Sequence, residues 1–78
     1  YPYQDLEVKE TIEKICLKLK KVNKIEITKG VDCDLHVNIF GPPDLADEVI
    51  GLGKEIAEQE IIRERAPLGA DLFLTPLL

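Results

Sequence analysis

Asp32, Asp34 and His36 recur two residues apart in the segment V-D-C-D-L-H-V-N-I-F, Val31 to Phe40. Carboxylates and a neutral imidazole are ligands for divalent cations of the zinc type. Successive positions on one strand face stand about 7 Å apart, so a single strand cannot wrap an ion. Asp71, Glu26 or a second subunit must complete such a site. The residues therefore suggest a divalent metal ion, zinc or similar, held by His36 with Asp32, Asp34 and Asp71. Because imidazole ligates only when neutral, cation affinity should fall on acidification. Two blander readings compete: a solvated polar face on which Lys24 neutralises an acid, and a proton switch at His36.

Other chemistries have little to work with. The chain has no serine, its single histidine has no nucleophile beside it on the strand, and both cysteines are expected to point inward. Asp32 and Asp34 would lie open to water, without the pocket that separates the pKa values of an acid and a base. The expectation is no enzyme. Gly51-Leu52-Gly53 lies within a predicted helix and so lacks the strand-to-helix cradle of a phosphate loop. Lys18, Lys20, Lys21, Lys24 and Lys29 have no aromatic partners among them and read as a solvated helix end. Fifteen acids against ten bases, a net charge of -5, argue against nucleic acid as a partner.

These residues need a fold to position them. Val31, Cys33, Leu35, Val37 and Ile39 alternate with the polar series, which predicts a half-buried strand over Val31–Phe40 with His36 on the solvent side. Upstream, Tyr1 to Gln4 read as an extended lead-in. Asp5 then caps a helix whose apolar face is Val8, Ile12, Ile15, Cys16, Leu19 and Val22. Lys24 to Thr28 is a short strand. A three-residue turn, Thr28 to Gly30 with Gly30 left-handed, would set Ile27 across from Val31, Ile25 across from Cys33 and Lys24 across from Asp34. Asp44 caps a second helix carrying Leu45, Val49, Leu52 and Ile56, with Ala46, Ile50, Ala57 and Ile61 widening that face. Gly51 and Gly53 would let another backbone approach it. After an Ala66–Gly69 linker, Asp71 to Thr75 forms the last strand, parallel to the long one.

The whole is a single α+β domain, residues 1–78, with helix, strand, strand, helix, strand in order. Two helices cover one face of a three-stranded sheet. The other face carries Phe40 and Phe73, and so short a chain with an uncovered face should form a homodimer. Two cysteines read as buried hydrophobes suit a reducing, cytoplasmic setting. No apolar run approaches the roughly 20 residues of a membrane span. Because the chain begins with Tyr1, it reads as an excised domain, with any membrane attachment lying in a neighbouring segment.

The element order, the segment Leu35-His36-Val37 and the run Gly41-Pro42-Pro43-Asp44-Leu45-Ala46 resemble the cytoplasmic C-terminal domain of cation diffusion facilitator transporters. That resemblance covers nearly the whole chain, by topology more than by motif. It implies a ferredoxin-like, metallochaperone-like fold that dimerises and binds zinc or a related ion to regulate transport. Family members that bind metal there usually add histidines in the second helix and last strand. This chain has Asp47 and Leu72-Phe73-Leu74-Thr75 at those places, so only His36 carries over as a ligand. The combined expectation is a small dimerising regulatory or sensor domain, with a metal-free protein-interaction module as the alternative.

Overall fold

The computed structural model describes Tyr3 to Leu77; Tyr1 and Pro2, read above as part of the lead-in, lie outside the described residues. Asp5 caps helix α1, Leu6–Cys16, by accepting a hydrogen bond from the Val8 N–H at 3.3 Å. The helix buries Val8, Ile12, Ile15 and Cys16, as its spacing requires. It ends at Cys16 rather than near Val22. Beyond it, Lys18 N–H bonds to the Ile15 carbonyl and Leu19 N–H to that of Cys16. Such three-residue turns return side chains to the core at nearly the helical interval, which is why Leu19 and Val22 still pack there.

Strand β1, Lys24–Lys29, pairs antiparallel with β2, Leu35–Gly41, and β2 pairs parallel with β3, Ala70–Pro76. The result is an α+β domain with a three-stranded mixed sheet in the order β1-β2-β3. Leu35, Val37 and Ile39 point into the core and are fully buried, while His36, Asn38 and Phe40 face the other side. The last strand extends one residue beyond the expected Asp71–Thr75 at each end.

The hairpin departs from expectation. Strand β2 starts at Leu35, and Gly30 to Asp34 form the connecting loop, so Ile25 faces Ile39, Ile27 faces Val37 and Lys24 faces Phe40. Val31 is 95% exposed. The Gly30 N–H closes the loop onto the Asp34 carbonyl at 3.2 Å, and from across the sheet the Gly69 carbonyl accepts the N–H groups of Asp34 and Leu35. Gly30 is not left-handed; its requirement is space, because a Cβ there would stand 2.6 Å from the Cys33 carbonyl oxygen. The left-handed glycine is Gly69, with φ of 80°.

The second helix is also divided. Pro43–Leu45 form a 3-10 turn, α2 spans Ala46–Ala57 and α3 spans Glu60–Arg65, with Gln59 extended between them. Asp44 makes no side-chain cap and binds Lys21 at 3.0 Å instead. The break turns Ile62 and Ala66 back into the core, where both are buried. Among the described residues no polar or charged side chain is buried, and no helix is long and apolar enough to cross a membrane.

Leu35→Ala should lower stability by about 2–5 kcal/mol, the cost of a cavity beneath the central strand. Asp34→Ala, which loses one hydrogen bond to the Leu68 N–H, should cost about 1 kcal/mol. Val31→Ala should shift stability by less than about 0.5 kcal/mol. Urea unfolding of the three variants checks this order, and a costly Val31→Ala would restore the longer strand.

Candidate functional site

The parallel pairing sets His36 beside Asp71, both on the face away from the helices. Asp71 Oδ2 lies 3.6 Å from His36 Nδ1. The other carboxylate oxygen, Oδ1, is 2.9 Å from Cys33 Sγ. One carboxylate therefore stands between an imidazole and a thiol. Phe73, two residues along β3 and 52% exposed, packs its ring on His36 with centroids 4.8 Å apart. The aromatic wall fixes one side of the imidazole and leaves the rest of its edge to Asp71 and solvent.

Of the four residues read as ligands, the structure brings together His36 and Asp71. Asp34 is in the loop, and its Oδ2 accepts the Leu68 N–H at 2.8 Å, closing the Leu68–Gly69 turn against the hairpin. Asp32 is exposed in the same loop. Neither shares the strand face with His36, because the alternation of Val31 to Asp34 belongs to a loop and carries no face.

Cys33 is the residue that periodicity misplaces. It is half-buried beside Asp71, not inside the core. Its single proton can go to Asp71 or to the Leu35 carbonyl oxygen 3.0 Å away, and the carboxylate is the stronger acceptor. The hydrogen bond to Asp71, with some desolvation, raises the Cys33 pKa, so at neutral pH the group is a thiol. Cys16, fully buried, is pushed up to about 11, mainly by burial. Cys33 lies 38 residues from Asp71, and their contact appears only once the parallel register is known.

Imidazole nitrogen, carboxylate oxygen and thiol sulfur form a mixed donor set of the kind zinc accepts. Among the described residues, however, no group of three or more His, Cys, Asp or Glu side chains is placed to hold a metal ion as it stands. Deprotonating Cys33 and swinging its side chain would have to accompany binding. Glu26, the other carboxylate considered, is engaged by Lys24 at 3.7 Å.

The rest of the open face is occupied by local contacts. Thr75 Oγ1 donates to Asn38 Oδ1 at 2.7 Å, and Lys24 lies 5.6 Å from the centre of the half-buried Phe40 ring. Gly51 and Gly53, expected to admit another backbone, have open space where a Cβ would stand. In the lysine cluster, Lys18 pairs with Glu55 and Lys21 with Asp44. That second pair spans an open groove of about 230 Å3 between the end of α1 and the 3-10 turn, lined by Lys18 to Lys21 and by Asp44, Leu45 and Glu48.

At pH 8, iodoacetamide should modify Cys33 before Cys16, and more slowly than an unperturbed thiol. Replacing Asp71 with Asn removes the carboxylate that holds the proton, so the thiol ionises at lower pH and alkylation of Cys33 should accelerate. Mass spectrometry of tryptic peptides over time reads both rates; an unchanged Cys33 rate in the variant would contradict the assigned hydrogen bond.

The chain matches no family model, no curated protein and no solved structure.

Proposed function

We propose that this chain is a small dimerising regulatory domain of ferredoxin-like type, whose sensing element is Cys33, His36 and Asp71 and whose ligand is a divalent cation such as zinc. The observation that carries the reading is the position of Asp71, with one oxygen toward the His36 imidazole and the other against the Cys33 thiol. Asp71 thus links an imidazole and a thiol on the open face of the sheet. Binding by Cys33 displaces its proton, so affinity falls as pH falls, and the ion replaces a hydrogen bond with a bridge between the loop and β3. A binding role suits these residues better than catalysis. The thiol is held protonated, and His36 faces the carboxylate. Two unpaired thiols suit a reducing, cytoplasmic setting.

A metal-free protein-interaction module is the second reading, favoured by the exposed Phe73 on a sheet face that no helix covers. Zinc distinguishes the two. Calorimetric titration at pH 7.5 should show binding by the parent chain, with manganese weaker because it lacks zinc's preference for sulfur. Zinc at 100 times its dissociation constant should stabilise the fold by about 2.7 kcal/mol. His36→Ala and Cys33→Ser should each lose affinity by at least about tenfold. If zinc leaves the melting temperature of the parent unchanged, the interaction module replaces the sensor.

A further inference from the structure

Strand β3 is an edge of the sheet, and its outward backbone groups can be identified. The Gly69 carbonyl and the Leu77 N–H both bond toward β2, to Leu35 and Gly41 respectively. Backbone direction alternates along a strand, so Asp71, Phe73 and Thr75 also address β2, while Ala70, Leu72, Leu74 and Pro76 turn their groups away. Among the described residues no strand pairs with that row. The other edge is guarded: β1 carries Lys24 and Lys29 at its ends and Glu26 between them. Along β3 the only charged residue is Asp71.

The helix above this edge is prepared in the same way. Helix α2 packs on β3 and α1 on β1. Helix α2 buries Val49, Leu52 and Ile56, and it packs beside α1, its Glu55 flank pairing with Lys18 in the turn that follows α1. At 100° per residue the opposite flank, on the β3 side, consists of Ala46, Ile50, Gly53 and Ala57. Ile50 is 76% exposed, and a Cβ at Gly53 would meet nothing. An uncharged helix flank therefore stands over an unpaired, nearly uncharged strand in a chain of net charge -5.

We propose that this edge joins two copies of the chain, β3 pairing antiparallel with β3 about a two-fold axis at Phe73, to make one continuous six-stranded sheet. The inference rests on the reading of the chain as a dimerising domain and specifies the surface. The edge is self-complementary about that axis. Leu72 and Leu74 of opposite copies become hydrogen-bonded partners on the helix side, where both are only half-buried in one chain. Ala70 meets Pro76, which lacks an N–H and can only accept. On the open face Phe73 meets its own copy, and Asp71 faces Thr75, so no two like charges are opposed. The two α2 flanks approach across the axis through Ala46, Gly53 and Ala57, small enough to allow close contact, and through the exposed Ile50. A second copy satisfies backbone and apolar flank together.

Light scattering on size-exclusion fractions, with amide hydrogen exchange, tests this. The parent should run as a dimer at micromolar concentration, with the Leu72 and Leu74 amides protected although neither bonds to β2. Ile50→Glu, an exposed position whose change should not disturb the monomer fold, should raise the dimer dissociation constant by at least about 100-fold and release those two amides. Asn38→Lys, in the middle of the open face and away from the edge, should remain dimeric. If Asn38→Lys dissociates while Ile50→Glu does not, the copies pack face to face; the edge assignment then fails and the dimerising reading stands. A parent that stays monomeric at 100 times its working concentration overturns both.

Discussion

The sheet depends on one clamp between two loops. The Gly69 carbonyl takes the N–H groups of Asp34 and Leu35, and the Asp34 carboxylate takes the Leu68 N–H. This fixes where β2 begins and how β3 runs beside it. Because side chains alternate with period two, a slip of one residue would exchange the faces of the whole strand. His36 would enter the core and Leu35 would leave it. The neighbourhood of Asp71 therefore follows from a loop contact as much as from the strand itself. The left-handed conformation of Gly69 is what turns its carbonyl toward the hairpin, and a side chain at that position would strain the turn on which the register rests.

Much of this was legible in the chain, and the misses share a cause. Helix α1 and its Asp5 cap follow from spacing and polarity, and the inward set Leu35, Val37 and Ile39 follows from strict alternation. Alternation also runs through Val31 to Asp34, but there no face exists to give it meaning. Periodicity records which residues differ in polarity, and only pairing partners show whether they are in a strand. The same limit hid the end of α1, where turns of three residues imitate helical spacing at Leu19 and Val22. It hid the break at Gln59 as well, since that residue is neither glycine nor proline and carries no local stop signal.

The candidate site was half visible for a related reason. His36 stood out as the only histidine on a polar face, and Asp71 was reachable by assuming a parallel crossover. Cys33 was assigned to the core because an apolar residue in an alternating run normally goes there. In the structure its sulfur instead finds the carboxylate, and the thiol is polar enough to make use of that neighbour. Among the described residues no polar or charged side chain is buried, which keeps those groups on surfaces available for contacts outside the fold.

The unequal edges have a bearing on how large an assembly can grow. A strand edge that accepts another strand usually offers the same invitation to a third, and open-ended growth is the route to fibres. Here the lysines of β1 close one side of the sheet, leaving β3 as the side suited to pairing. A contact made by β3 with itself consumes both receptive edges in a single step. In the proposed pairing, what would remain outside is two charged borders, so association through β3 would stop at two copies without any element devoted to that task.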